Sequence, residues 1–386
     1  MISLPDKELR SGRWHAVRGA AALAAAMGIG RFVYTPILPL MTAQAGLAPA
    51  AGATLATANY AGNLAGALVG MVAPALGRSA LVHRGSLVLL TATLAAMPFT
   101  TSVSGWSALR LLAGFASGAI FVFAVGSILS HLRDHLPGWS FSGVGGGIAL
   151  SGVLVLLVRT IGDWRLAWWA TAVLCAAFAS LAWRLRPEAT PEAVAAQAIR
   201  PRTHRWFGTL FASYTLEGIG YIIAGTFLVA AIGQSSPGWL GGAAWILVGL
   251  AAVPSSVLWA RLGRRWTRPD LLLAALLAQA AGIALPALAG GATAALIAAF
   301  LFGATFLGVS NLALAAGTHL RVPRAVALLT AGYSLGQILG PLVAAPLLRH
   351  GYHQALVLGA LIVLAAAGAA GLLRIGFPHR MPECAG

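Results

Sequence analysis

The chain has 386 residues, is 59% hydrophobic with a mean hydropathy of +0.84, and only 9% of it is charged, against about a quarter in an ordinary soluble domain. One soluble core cannot hide so much apolar surface, and the same hydrophobicity excludes disorder. Nine acids face 25 Lys and Arg for a net charge of +16, and two cysteines, Cys175 and Cys384, form no disulfide framework.

What remains is an all-α membrane protein. A crossing helix needs ~20 apolar residues, and twelve such segments are read in chain order: 16–41, 53–76, 84–103, 105–130, 139–161, 164–185, 205–232, 238–260, 270–290, 292–318, 324–348 and 353–375. Lys7, Arg10, Arg13 and Arg18 precede the apolar run of the first, as in a secretory leader. That run is longer than a leader's core and holds Arg31 and Pro36, so it reads as an uncleaved span. The stretch 186–204, with Pro187, Glu188, Pro191, Glu192, Arg200, Pro201 and Arg202, reads as a linker. It divides a six-helix half, 1–185, from a second, 205–386. With the N-terminus inside, most Lys and Arg fall on inner segments, including Arg78, Arg84, Arg133, Arg261 to Arg268, Arg321, Arg324, Arg374 and Arg380. The positive-inside rule then predicts that both termini and the linker are cytoplasmic, in a plasma membrane. It also accounts for the charge without nucleic acid.

The halves repeat. Gly28-Ile29-Gly30-Arg31-Phe32 in span 1 matches Gly218-Ile219-Gly220-Tyr221-Ile222 in span 7, and Gly118-Ala119-Ile120-Phe121 in span 4 matches Gly303-Ala304-Thr305-Phe306 in span 10. The loops after spans 2 and 8 align as Gly70…Gly77-Arg78 and Ser256…Arg261-Leu262-Gly263-Arg264-Arg265. Parallel halves about an axis along the membrane normal predict a solute site between them, near the midplane.

These loops resemble the G-x-L-A-D-R-x-G-R-R signature of the major facilitator superfamily, and Arg110-x-x-x-Gly114 is similar to its span-4 signature. The run Gly28 to Met41, Tyr214 to Tyr221, and Gly336-Gln337-Ile338-Leu339-Gly340-Pro341 resemble the YbfB/YjiJ-type branch. The resemblance covers essentially the whole chain. It implies the twelve-helix fold, alternating access and a gating role for Gly77, Arg78, Arg261, Gly263, Arg264 and Arg265. Ala260 and Pro74 stand where the signature has an acid, which removes the usual Asp–Arg latch. Span 5, Gly143 to Gly152, lacks the Gly-Pro step common in antiporters. The resemblance supplies no substrate.

An ionisable group at the bilayer centre costs ~2.5–3.5 kcal/mol on insertion scales, so it needs a reason. Arg31 lies ~20 Å along the helix from Arg18, and Glu217 ~18 Å from Arg205. They are the deepest base and acid, on the first spans of the two halves. Two readings are open: an anion handle and a proton carrier, or a structural ion pair locking the halves. Tyr221 is one turn from Glu217, placed to hydrogen-bond it, and Tyr34 is one turn from Arg31. Asn63 in span 2 and Tyr333 and Gln337 in span 11 supply polar groups within their spans, read either as a polar cavity face or as helix-packing and interhelical hydrogen-bonding groups. The substrate-binding set is therefore Arg31, Tyr34, Asn63, Tyr221, Tyr333 and Gln337, and the proton-coupling set Glu217 and Arg110. Snorkelling to the interface is the competing reading for Arg110. Glycines every fourth residue in span 2 read as helix-packing contacts. Trp164, Trp168, Trp169 and Trp239 read as interfacial anchors.

Gly332-Tyr333-Ser334-Leu335-Gly336 fits G-x-S-x-G but falls inside an apolar helix rather than a strand–turn–helix elbow, so no enzyme is expected. No metal-ligand spacing and no nucleotide loop occur, so no metal or cofactor is expected. The sequence thus predicts a monomeric secondary transporter whose partners are a small organic anion or zwitterion, protons and the bilayer. Efflux of hydrophobic drug-like compounds is the alternative, and a passive channel the reading from a different class.

Overall fold

The computed structural model describes residues 6–133, 136–188 and 203–378, and every regular element among them is helical. Helix α1 (Asp6–Leu23) runs into a π-helical segment (Ala24–Arg31) and on into α2 (Tyr34–Ala45), and the three pieces make the first crossing. α3 (Pro49–Val72), the short α4 (Pro74–Gly77), α5 (Ala80–Ala96), α6 (Val103–His131), α7 (Leu136–Ile161) and α8 (Trp164–Ala182) complete the first half. The second comprises α9 (His204–Ser235), α10 (Gly238–Leu262), α11 (Arg268–Leu288), α12 (Gly291–His319), α13 (Ala325–Ala344) and α14 (Tyr352–Leu373). Among the described residues eleven crossings are both long and apolar enough to span a bilayer. The twelfth is α3: its 24 residues rise ~36 Å, but Asn59, Tyr60 and Asn63 lower its hydropathy. It packs between α6 and α13. Most of the 186–204 linker lies outside the described residues. Its first part crosses the first half's basic end, where Ser127 Oγ donates to the Arg186 carbonyl at 2.5 Å.

Helix starts follow from local chemistry. Ser102 accepts from Gly105 N–H at 3.0 Å, Asp163 from Leu166 N–H at 2.9 Å, and Pro49 and Pro269 occupy first-turn positions where no N–H is needed.

Packing rests on close backbone approach. A methyl group on Gly62 or Gly66 of α3 would meet the carbonyls of Leu111 and Phe115 on α6, and one on Gly114 or Gly118 would meet those of Asn59 and Asn63. In the second half Gly303 of α12 lies against the Val248 carbonyl of α10, the repeat-equivalent contact of Gly118. Gly28 abuts Gly147 on α7, and Gly218 abuts the Tyr333 main chain on α13. The sequence repeat is therefore also a repeat of helix crossings. Glycines of the G-x-S-x-G string serve this packing: Gly336 faces the Thr215 carbonyl at 2.5 Å from an added Cβ.

The halves meet through α7 on α10, α3 on α13 and α2 on α9. Near the end opposite the basic one, the Thr35 hydroxyl donates to the Gly225 carbonyl and the Tyr60 and Thr226 hydroxyls lie 2.9 Å apart. The tryptophans divide. Trp169 and Trp239 are exposed, but Trp164 and Trp168 are buried in the first half and are not interfacial anchors.

Candidate functional site

The site begins with a break in helical hydrogen bonding. Phe32 N–H bonds Met27 O at 3.2 Å, a five-residue π step, and Thr35 N–H turns back to Phe32 O at 3.2 Å. The Arg31 carbonyl thereby loses its four-residue donor, and its five-residue neighbour is Pro36, which has no N–H. Arg110 of α6 supplies the donors: Nη1 bonds the Gly30 carbonyl at 3.1 Å and Nη2 the Arg31 carbonyl at 3.2 Å. Its guanidinium lies over the rings of Tyr34 at 5.2 Å and Trp168 at 5.8 Å. Asn59 Nδ2 donates to the Arg110 carbonyl at 2.9 Å, and the Tyr34 hydroxyl to the Gly52 carbonyl at 3.0 Å. Arg110 is fully buried and does not snorkel. It makes no contact with Glu217; it clamps the backbone that carries Arg31. Tyr34 belongs to this clamp and not to the Arg31 head group.

The Arg31 side chain runs between the rings of Tyr60 and Phe32, at 5.0 and 5.2 Å from their centroids. It is 4% exposed, and its Nε and Nη2 have no hydrogen-bond partner. Across from it the second half presents aromatic faces. Tyr221 is stacked with Tyr333 (5.7 Å, 14°), Phe306 (5.9 Å, 9°) and Phe302 (5.9 Å, 16°), and Tyr333 with Tyr214 (4.3 Å, 9°). Helical spacing builds this slab: Tyr214, Glu217 and Tyr221 share one stripe of α9, and Phe302 and Phe306 are one turn apart on α12. Phe32 closes it edge-on against Phe306 at 6.1 Å. Tyr214, Tyr221 and Tyr333 lie within electrostatic reach of both Arg31 and Glu217.

Glu217 is 0% exposed, and neither carboxylate oxygen has a hydrogen-bond partner. Gln279 of α11 is the polar side chain facing it, short of hydrogen-bond geometry, since both Gln279 amide atoms are also unpartnered. The Tyr221 hydroxyl does not bond Glu217, contrary to the spacing argument. Nor do Arg31 and Glu217 form an ion pair: among the described residues the only one joins Arg374 to Asp270 at 2.6 Å, at the basic end. Asn63 on α3 and Gln337 on α13, helices that meet across the halves, each keep a buried amide nitrogen without a partner.

At the basic end Gly77 lies against the Gly70 main chain, followed by a half-buried Arg78. Arg261, Gly263, Arg264 and Arg265 are exposed where α10 ends, and no acid pairs with any of these arginines among the described residues. Arg261 and Arg264 instead line a crevice of about 710 Å³ between α7 and α10, with Trp139 and Asn311. A second opening of about 490 Å³ separates Met71 of α3 from Thr330 of α13. At the opposite end a smaller cavity of about 320 Å³ holds Arg159, Gln234 and Tyr352.

Sequence reasoning missed Gln279, Tyr60 as a flank of Arg31, and Phe302 and Phe306. Gln279 carried a usable signal: it lies ~16 Å along its helix from Arg268, the depth of Glu217 in α9.

Two repeated halves of six crossings, with an unpartnered base on the first helix of one and an unpartnered acid on the first helix of the other, define a secondary transporter of the major facilitator type. The chain belongs to the family described as "Uncharacterised MFS-type transporter YbfB", which matches residues 23–371. In fold it is similar to a crystal structure of a mutant of the nucleoside transporter NupG, with a TM-score of 0.70 and 14% identity, over 94% of this chain and 100% of that one. No curated protein matches the chain. Family and fold are those of integral membrane transporters of small molecules, not of enzymes.

Proposed function

We propose that the protein moves a small organic anion or zwitterion across the plasma membrane by alternating access, coupled to protons, as a monomer with its basic end, termini and linker in the cytoplasm. The observation that carries this reading is the pair of buried, unpartnered groups, Arg31 and Glu217, held on the first helices of the two halves. Burial without partners is costly for both, and a solute anion and a proton are the ligands that relieve it. Arg31 takes the anion, with Tyr221 and Tyr333 within its electrostatic reach and the unpartnered amides of Asn63 and Gln337 as further polar groups where α3 meets α13. Glu217 carries the proton, neutral when enclosed by apolar helix and ionised when it faces water or a cation. Arg110 acts through the Arg31 backbone. The inter-half hydrogen bonds near one end and the crevices at the other support one half-cycle of alternating access. In that half-cycle Arg78, Arg261, Arg264 and Arg265 are released and Gly77 and Gly263 allow their loops to close again.

Glu217→Gln tests the coupling, since glutamine mimics the protonated acid. In proteoliposomes the variant should keep counterflow exchange and lose accumulation driven by a pH gradient. Gradient-driven transport at wild-type level would place coupling elsewhere. A second reading, efflux of hydrophobic compounds, is favoured by the aromatic slab taken without Arg31. Counterflow that accepts neutral compounds and ignores anions would select it. Flux indifferent to every imposed gradient would select a passive channel.

A further inference from the structure

We infer that the solute is a planar aromatic monocarboxylate, its carboxylate taken side-on by Arg31 and its ring laid against the parallel aromatic faces of α9, α12 and α13. This rests on the anion reading above and goes further by fixing the shape of the anion.

The first observation is which Arg31 donors are free. Nε and Nη2 lie on one edge of the guanidinium, and both are buried without a partner. That edge presents two parallel N–H bonds at the spacing of the two oxygens of a carboxylate, so one planar carboxylate satisfies both. The guanidinium carbon lies over the Tyr60 and Phe32 rings, at 5.0 and 5.2 Å from their centroids. One carboxylate thus satisfies this buried edge.

The second observation is independent of the first. Tyr221 lies within 16° of parallel to Phe302, Phe306 and Tyr333, and Tyr333 lies 9° from Tyr214. An apolar pocket for a flexible chain needs no common orientation of its rings. A set of near-parallel faces does favour one more flat π-system over a saturated ring of the same size. Phe32 bridges the two features, since its ring contacts both the Arg31 head group and Phe306.

The test uses the full-length protein in nanodiscs and isothermal titration calorimetry with four probes: benzoate, 2-naphthoate, cyclohexanecarboxylate and neutral benzamide. Benzoate and 2-naphthoate should bind, with cyclohexanecarboxylate roughly three- to tenfold weaker, the worth of one or two stacked pairs, and benzamide weaker still. Tyr221→Leu should remove the preference for the flat ring while keeping carboxylate binding. Arg31→Lys should weaken both carboxylates and keep the preference, because the ammonium retains charge and loses the planar fork. If Tyr221→Leu fails to fold, Phe306→Leu replaces it, and the wild-type ranking decides by itself. Equal affinity for benzoate and cyclohexanecarboxylate overturns this inference and leaves the anion reading standing. Benzamide binding as well as benzoate overturns both. Binding of none of the four overturns the aromatic monocarboxylate and returns the substrate to counterflow experiments.

Discussion

Arg110 is the residue whose replacement should separate positioning from coupling. Its guanidinium makes two charge-assisted bonds, to the Gly30 and Arg31 carbonyls, and lies over two rings. Arg110→Met keeps most of the apolar volume and removes both bonds. In soluble proteins each such bond is worth about 1.5–3 kcal/mol, whereas hydrogen bonds measured within membranes average ~0.6. The carbonyls left behind have no water to turn to, and the cation–π contacts add roughly 0.5–2 kcal/mol. Together these place the loss at about 2–4 kcal/mol. Arg110→Lys can reach one carbonyl and should lose about half of that. Unfolding in mixed detergent micelles, followed by circular dichroism, measures both. Since the Arg31 carbonyl is one of the two, both variants should also weaken substrate affinity while leaving the pH dependence of uptake intact. An Arg110→Met protein within 0.5 kcal/mol of wild type would refute the clamp. Unchanged stability with lost proton coupling would return Arg110 to the side of Glu217.

Three further outcomes are expected. Gly145→Ala places a methyl 2.7 Å from the Gly249 carbonyl and the Val253 nitrogen on α10, so it should cost this arrangement of the halves about 1–3 kcal/mol. Slowed transport, with altered labelling of a cysteine at Gly138 in the crevice, would show it; an unchanged rate would count against α7–α10 as a moving seam. Arg261→Ala should change transport rate more than affinity, because Arg261 lines the crevice and not the central site; weakened affinity at an unchanged rate would contradict the gating role. In a protein without Cys175 and Cys384, Ala195→Cys should be labelled from the cytoplasmic side only, and labelling from outside would invert the topology.

Length and hydropathy made the twelve crossings legible, including α3, whose polar residues left it the least apolar of them. Glycine spacing made the crossings of α3 with α6 legible too, because close approach of two backbones requires residues without side chains. The π segment was not legible in the same way. Pro36, which follows it and offers no N–H, stands in the sequence, but whether a helix answers a proline by kinking, widening or breaking depends on which neighbour can reach the freed carbonyls. Arg110 is 80 and 79 residues away in the chain from the Gly30 and Arg31 carbonyls that it reaches. Trp168 was misread for a related reason. A tryptophan near a span end is ordinarily an anchor, whereas Trp168 turns inward, its ring 5.8 Å from the Arg110 guanidinium.

The repeat alignment explains why the base and its aromatic partners face one another. Gly28-Ile29-Gly30 matches Gly218-Ile219-Gly220, so the symmetry mate of Arg31 is Tyr221, and that of Thr35 is Gly225. Thr35 and Gly225 are hydrogen-bonded to each other. A residue that touches its own mate lies at the axis relating the halves, which fixes where the first and seventh crossings approach. Arg31 and Tyr221 each stand one helical turn from that contact, toward the basic end, on opposite sides of the axis. Duplication alone would have placed like opposite like there. Among the described residues the π segment and the Arg110 clamp occur only in the first half, while α9 runs as a continuous helix from His204 to Ser235. The break aims a cation from one half, and the unbroken helix aligns Tyr214, Glu217 and Tyr221 on one stripe of the other. Under the proposed function, charge recognition and ring recognition would come from opposite sides of the axis, and rocking one half against the other would alter the distance between them.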